Sequence, residues 1–451
     1  MATQPVASPE FESVATPASG ILGEPQVVRQ SFASRIAFRF CFVYFALYFA
    51  LTQISTTLVP LPNVDIPDPS TLWPFRWIVV WTAVHVFRTP PPSYADTGSG
   101  DKTFDWVLVF CLLVISTLAT AVWSYLDRKR PSYAVLAKWF RLVIRIGLAG
   151  QMMAYGISKV IPTQMPYPSL YTLLERVGYQ SPMGVLWASI GAAPAYETFV
   201  GSAELLGGIL LIIPRTTTLG ALVCLADMTE VFMLNMTYDV PVKLLSFHLI
   251  LLSLFLLAAD FSRLISFFFQ NRITAAPARP PLFATRRANQ IALIAQMAVG
   301  VWLLGMNIYA TRSAYREYGN GRPKSVLYGI WDVDQLSIDG QIRSPLINDY
   351  GRWRRVVIDY STRIGFQRMD DTFANFGATI DTTASTIALT KNDDKNWKGN
   401  LAFQRPAPDH LILDGSMDTH KVRMELTLFD RNKFRLVSRG FHWISEGPFN
   451  R

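Results

Sequence analysis

Apolar runs of about 20 residues recur between Phe38 and Ala310, and they constrain the fold of this chain more than any other feature. A helix rises about 1.5 Å per residue, so such a run crosses the roughly 30 Å of hydrocarbon in a bilayer. After Arg312 no apolar run exceeds a few residues. Since 50% of the residues are hydrophobic and 17% are charged, the composition does not favour an ordinary soluble protein. The sequence predicts a membrane-embedded part followed by a soluble part.

Seven transmembrane helices are predicted, most of them ending at a charged residue or a proline. They are residues 38–58, 104–126, 137–160, 193–213, 216–236, 242–262 and 288–310. The apolar stretch from Phe75 to Phe87 would reach only about 20 Å as a helix, and it contains His85. We therefore predict an interfacial or re-entrant segment there.

These spans divide the chain into five parts. The first part contains Pro, Ser, Thr and Gly but no early apolar stretch, so we expect a disordered cytoplasmic tail. The parts are the tail (1–30), the N-terminal transmembrane helices with the interfacial or re-entrant segment (31–135), a four-helix core (136–270), a cytoplasmic loop with the last transmembrane helix (271–312) and a β domain (325–451).

Lys and Arg are biased toward one set of loops, which predicts the orientation because cytoplasmic loops carry the excess. Twelve lie on the N-terminal side: Arg29, Arg35, Arg39, Arg128, Lys129, Arg130, Arg215, Arg263, Arg272, Arg279, Arg286 and Arg287. Six lie on the other side: Arg76, Arg88, Lys102, Lys159, Arg176 and Lys243. The N-terminus is predicted to be cytoplasmic and the C-terminal domain periplasmic or extracellular.

Ionisable residues within the spans mark candidate sites, because each costs several kcal/mol in hydrocarbon unless it is paired or hydrated. The third span carries a polar stripe down one helix face. Its members are Arg141, Arg145, Leu148, Met152, Tyr155 and Lys159. Glu197 and Glu204 share a face of the fourth span, and Asp227 and Glu230 share a face of the fifth.

Depth along the spans predicts a polar pocket in the outer half of the bundle. Its members are Tyr155, Lys159, Glu197, Glu230, Asp239, Lys243 and His248. Such a pocket would bind a lipid headgroup, a quinone ring or a small solute, with proton transfer through Glu230 or His248.

Structural ion pairs are the alternative interpretation of the same charges. Arg145 would pair with Glu204 or Asp227 and fix helix packing. Lys243 would pair with Asp239 in the same way. The lone His248 predicts no metal site, and no sequence motif assigns a catalytic residue.

Nucleic acid is not an expected partner, although the net charge is +9. Basic residues are not concentrated among aromatic ones on a soluble face, and many lie in loops between apolar runs. Membrane lipid is therefore the predicted partner.

After Tyr318 the pattern takes a two-residue period, which is typical of strands buried on one face. The apolar members of the clearest alternation are Val422, Met424, Leu426 and Leu428. Other predicted strands are Trp331–Ile338, Val356–Tyr360, Ile387–Leu389, Leu411–Leu413 and Phe434–Val437. The dipeptides Asp339-Gly340 and Asp414-Gly415 are typical of hairpin turns.

These strands predict a small antiparallel β-barrel whose interior is lined by Trp331 and the alternating apolar set. A barrel of about eight strands either packs solid or holds one small ligand. We favour a ligand-holding interior, because a solid barrel gives no evident reason to tether it beside the outer pocket.

Four stretches of the core resemble the DoxX-like membrane proteins of bacteria. They are Arg145–Lys159 (RIGLAGQMMAYGISK), Phe199–Leu211 (FVGSAELLGGILL), Arg215–Gly220 (RTTTLG) and Asn235–His248 (NMTYDVPVKLLSFH). The resemblance implies a four-helix core within a bacterial inner-membrane protein. Some relatives are subunits of a thiosulfate:quinone oxidoreductase, so it also implies a quinone cofactor and a redox partner subunit.

The C-terminal domain resembles the lipocalins in two features. Gly329-Ile330-Trp331 is similar to their G-x-W motif, and Arg439 is similar to their late arginine. The resemblance implies that Arg439 packs on Trp331 and closes one end of the barrel.

Two functions stay open. The first is a quinone- or lipid-linked redox subunit, and a quinone bound to the purified protein would favour it. The second is a non-enzymatic membrane anchor that presents a ligand- or protein-binding barrel, which ligand binding without redox change would favour.

The charge bias makes the orientation testable with a reporter fused after Arg451. We expect a reporter that is active only outside the cytoplasm to be active, and one that is active only inside to be silent. The opposite pattern would show that the orientation is wrong.

Overall fold

The structure is a computed structural model that describes residues 30–61, 64, 66–274 and 281–450. It consists of a helical bundle followed by a closed β-barrel. Except for Gln30, the predicted disordered tail lies outside the described residues.

The helices up to the barrel are α1 (Phe32–Leu51), α2 (Gln53–Thr57), α3 (Phe75–His85), α4 (Thr103–Leu126), α5 (Ala134–Val160), α6 (Leu170–Leu174), α7 (Pro182–Gly191), α8 (Pro194–Ile212), α9 (Thr217–Thr237), α10 (Lys243–Ala258), α11 (Phe261–Phe268) and α12 (Arg286–Glu317). In the described residues, five of them (α1, α4, α8, α9 and α12) are long and apolar enough to cross a membrane. The pair α10 and α11 is a sixth if it counts as one span, although it bends by 83°.

Helix α5 is not in this set, although its 27 residues are long enough to cross. It contacts α1, α2, α8, α10 and α12 and so forms the centre of the bundle. The described residues thus contain five candidate spans, or six with the bent pair, and α5 is a further helix of sufficient length. The chain is a multi-pass membrane protein with a C-terminal barrel domain.

The segment that contains α3 makes no net crossing of the bundle. Arg35 in the first turn of α1 donates to the carbonyl of Arg130, and Arg39, one turn later, donates to Ser124 Oγ at 2.8 Å, so α1 and α4 run antiparallel. Helix α4 therefore begins at the end of the bundle where α1 finishes. Helix α3 has 11 residues and buries Val79 and Ala83.

Nine strands form one antiparallel sheet that closes on itself. They are β1 (Gly329–Ile338), β2 (Gln341–Ile342), β3 (Trp353–Tyr360), β4 (Arg363–Arg368), β5 (Phe373–Asp381), β6 (Thr386–Thr390), β7 (Lys398–Ala407), β8 (His410–Met417) and β9 (His420–Phe429). The pairing of β1 with β9 closes an eight-stranded barrel, and the two-residue β2 is an extension beside β1. As predicted, Asp339 and Gly340 make the turn between β1 and β2, with φ of 52° and 82°.

The barrel interior follows the predicted alternation. Trp331, Val422, Met424 and Leu426 are buried in one apolar cluster, and Leu428 is partly buried against it. Aromatic rings add to this cluster. Their centroids are 4.8 Å apart between Trp353 and Phe366, 5.4 Å between Phe366 and Phe376, and 4.7 Å between Phe376 and Trp397. These rings fill space that a ligand would need, which favours the packed interior.

The predicted closure of the barrel by Arg439 is wrong. Arg439 donates to Ser445 Oγ at 2.9 Å and its guanidinium carbon lies 4.4 Å from the centroid of Phe449. The residue that lies over Trp331 is Arg405 of β7, at 5.6 Å from the ring centroid. The reason is that the last strand ends at Phe429, and the chain then leaves the barrel.

Two further strand predictions need correction. Residues 434–437 do not form a strand, because the chain there enters the short helix α13 (Arg435–Ser438). Asp414-Gly415 is not a turn but lies inside β8. A Cβ on Gly415 would lie 2.1 Å from the carbonyl oxygen of Asn400, so glycine allows the close approach of β7.

Glycines let α5 and α8 approach closely, as the sequence predicts for packing in lipid. A Cβ on Gly201 of α8 would lie 2.5 Å from Lys159 Cβ and 2.7 Å from the carbonyl oxygen of Gly156. Both contacts are far inside van der Waals distance, so the helices would have to separate.

We therefore expect Gly201→Ala to lower stability by about 1–3 kcal/mol through overpacking. The control is Gly305→Ala on α12, where a Cβ would have no neighbour within 4 Å. Thermal unfolding in detergent measures both. Equal melting temperatures for the two variants would contradict this packing.

Candidate small-molecule site in the bundle

A cavity of about 270 Å³ lies among α5, α7, α8, α9 and α10. Its wall is mainly apolar, and its methionines are Met152, Met165, Met183 and Met228. Flexible thioether side chains adapt to irregular ligands. The ionisable lining residues are Tyr155, Lys159, Tyr196, Glu197, Glu204 and Glu230.

An ion pair between Lys159 of α5 and Glu204 of α8 lies at the cavity wall. Lys159 Nζ donates to Glu204 Oε1, and the two residues are only 6% and 1% exposed. Removal of either partner would leave a buried charge without compensation, which typically costs about 3–5 kcal/mol. The pair therefore fixes α5 against α8.

Glu197 holds the chain that follows α5 over the cavity. Its Oε1 accepts a hydrogen bond from the Met165 backbone N–H at 3.0 Å. Its Oε2 is buried and has no hydrogen-bond partner within the described structure, and the same holds for Glu204 Oε2 and Asp227 Oδ2. Since nearly all buried polar atoms in proteins are hydrogen-bonded, these oxygens need an explanation.

The cavity has exposed lining residues on two neighbouring transmembrane helices. Tyr196 at the start of α8 is 51% exposed, and Glu230 in the C-terminal half of α9 is also exposed. The interior carboxyl groups, Glu197 and Glu204, are each 1% exposed. One exposed side of the cavity therefore lies beside Tyr196 and Glu230, and the exposed loop residue Gly98 also lines it.

The structure brings together Tyr155, Lys159, Glu197 and Glu230, all members of the predicted pocket. Glu204, which the sequence assigned to helix packing, lines the same cavity. Glu204 therefore contributes to helix packing and to the cavity wall. One of its carboxyl oxygens pairs with Lys159, and the other has no partner among the described residues.

Three residues of the predicted pocket do not line this cavity. Asp239 and Lys243 form a pair at the surface, with Lys243 Nζ 2.8 Å from Asp239 Oδ1. His248 lies on the face of α10 that meets α1: its Nε2 is 2.7 Å from Tyr44 Oη, and its ring stacks on Tyr48 at 3.9 Å. Rotation of α10 thus turns Leu245 and Leu249, rather than His248, toward the cavity.

The predicted pairing of Arg145 with Glu204 is not found. Arg145 bonds to Gln296 Oε1 and Thr217 Oγ1. Lys159, the partner of Glu204, lies fourteen residues farther along α5, or about 21 Å at 1.5 Å per residue. Arg145 cannot reach across that distance.

Residues 164–190, here called the roof segment, connect the cavity with the barrel. Gln164 and Met165 line the cavity at one end of the segment, and α7 lines it at the other. Between them, α6 lies on the barrel. This contact was not predicted, because α6 is only five residues long.

The docking of α6 uses both backbone and side chains. The Leu170 N–H donates to Asp359 Oδ2 at 3.3 Å, and Tyr171 Oη donates to the Val357 carbonyl at 3.3 Å. The Tyr171 ring packs on Phe373, with centroids 5.3 Å apart. Burial raises the pKa of Asp359, and Arg322, at 2.8 Å, opposes this shift. The barrel is thus part of the support of the roof segment.

Comparison with known proteins gives one informative relative. Uncharacterized protein YwoB of Bacillus subtilis (strain 168) is 30% identical over 129 residues, which are 29% of this chain and 82% of YwoB. No family model matches the chain. No solved structure matches it either. The DoxX-like resemblance therefore stays a prediction.

Support of the roof segment by the barrel is testable with Tyr171→Ala. Loss of the Phe373 contact and the Val357 hydrogen bond should speed amide exchange across residues 164–190. Tyr179→Ala is the control, since Tyr179 is 77% exposed in the same segment. Hydrogen exchange with mass spectrometry gives the rates, and equal rates in both variants would contradict the docking.

Proposed function

We propose that this chain, which belongs to the family of the uncharacterized protein YwoB, holds a small lipid-soluble molecule in the bundle cavity. The observation that carries the proposal is an apolar wall around a few converging polar groups. This is the usual composition of small-molecule sites. At about 270 Å³ the cavity is slightly smaller than the roughly 300–1,000 Å³ that is usual for such sites. It suits one ring or a short chain.

The position of two exposed lining residues on membrane-crossing helices supports the same proposal. Two of the exposed lining residues, Tyr196 and Glu230, lie on membrane-crossing helices, and a third, Gly98, lies in the loop before α4. A lipid-soluble molecule would reach the cavity between these two helices without passing through water. The barrel and the roof segment cover the end of the bundle where α5 finishes.

A quinone-linked redox subunit of the bacterial inner membrane is the finer form of this proposal. It rests on the DoxX-like resemblance, which implies a redox partner subunit, and on the Lys and Arg bias, which predicts that the barrel is outside the cytoplasm. Glu230 is the residue suited to exchange protons with a bound quinone, because it lies at the mouth of the cavity. His248 does not line the cavity and is not assigned this role.

A membrane anchor that presents the barrel is the second candidate function. The observation in its favour is that the barrel closes completely and has its own apolar cluster. In this case the partner would bind the outside of the barrel, and the bundle cavity would hold nothing specific.

Small molecules that co-purify in mild detergent test the proposal when compared between two variants. Val200→Trp adds a large ring at a cavity-lining position of α8. Phe199→Trp is the matched control on the neighbouring position, where the side chain is 70% exposed. We expect mass spectrometry to detect a bound molecule in the wild type and in Phe199→Trp, but not in Val200→Trp.

Each outcome decides between the candidates. A bound quinone would support the redox form, and another apolar molecule would support ligand binding without it. Identical small-molecule content in all three proteins would overturn the cavity proposal and favour the membrane anchor.

A further inference from the structure

We infer that the molecule held in the bundle cavity carries a protonated amine. This inference rests on the proposed function, because it names the chemistry of the ligand at the same site, and it favours ligand binding without a quinone over the redox form. It follows from the charges and the unpartnered atoms that line the cavity.

The cavity lining carries more acidic than basic groups. Among the described lining residues, Glu197, Glu204 and Glu230 supply three carboxyl groups, and Lys159 supplies one amine. Lys159 is already paired with Glu204. The lining therefore offers an excess of acidic groups for which a cationic ligand would compensate.

Two buried carboxyl oxygens in the lining have no hydrogen-bond donor among the described residues. Glu197 Oε2 and Glu204 Oε2 are buried without a partner within the described residues, although both side chains line the cavity and are 1% exposed. A buried acceptor without a donor is costly. An ammonium group has three N–H donors and no acceptor, so it can satisfy an unpartnered carboxylate oxygen of this lining.

Other ligand chemistries match less well. A carboxylate would add a further negative charge beside Glu197 and Glu204. A hydroxyl supplies one donor without charge. The carbonyl groups of an oxidised quinone are acceptors only, so they leave carboxylate oxygens unpartnered. The structure thus favours an amine on a short apolar body that packs against the methionine-containing wall.

Three probes of equal chain length test this assignment on the full chain in detergent at neutral pH: octylamine, 1-octanol and octanoate. Calorimetry should show octylamine binding at least about tenfold more tightly than 1-octanol, because hydrogen bonds between charged partners are roughly twice as strong as neutral ones. Octanoate should bind most weakly.

Variants that remove one carboxylate charge each show which residues account for the tighter binding of octylamine. Glu197→Gln should weaken octylamine binding about tenfold and leave 1-octanol unchanged, and Gln keeps an oxygen for the Met165 N–H. Glu230→Gln, at an exposed position of the cavity lining, should also weaken octylamine binding. Asp239→Asn is the control, since Asp239 does not line the cavity.

The outcomes separate this inference from the proposed function. If 1-octanol or octanoate binds as tightly as octylamine, or if Glu197→Gln changes nothing, the amine inference fails while ligand binding stands. If none of the probes binds to the wild type and no molecule co-purifies, the proposed function fails as well.

Discussion

The ion pair between Lys159 and Glu204 is the interaction on which the arrangement of the bundle depends. It places two charges in a region where each would cost several kcal/mol if unpaired. Gly156 and Gly201 allow α5 and α8 to come close enough for the pair to form. The close crossing and the ion pair thus require each other. The same carboxyl group faces the cavity, so helix packing and the candidate site share one residue.

From this crossing the structure extends continuously to the barrel. Helix α5 ends one residue after Lys159, and the following chain is held over the cavity by Glu197. It then lies on the barrel through Leu170 and Tyr171 before it returns to the cavity as α7. The barrel is therefore not an independent attachment, because it supports the segment that covers the candidate site. Its filled interior agrees with a supporting role.

Periodicity predicted much of this architecture, but it did not predict which residues meet. Run length indicated the membrane helices, and two-residue alternation indicated the barrel and its inward set. Spacing places a residue on a helix face, whereas partners depend on how each helix is rotated and where it crosses its neighbours. His248 was therefore assigned to the wrong face of α10, and Glu204 to the wrong basic partner. Strand β4 was not predicted, because its alternation is short and contains only two apolar residues, Ile364 and Phe366.

A double-mutant cycle on the ion pair tests this account most directly. It compares the stability of Lys159→Met, Glu204→Gln and the double variant with that of the wild type, by unfolding in detergent. We predict that each single variant loses about 3–5 kcal/mol, because it leaves one buried charge unpaired. The double variant should be more stable than the sum of the single losses predicts, by up to about 3 kcal/mol. Additive losses would contradict a direct pair between Lys159 and Glu204, and with it the proposed basis of the helix crossing and the cavity.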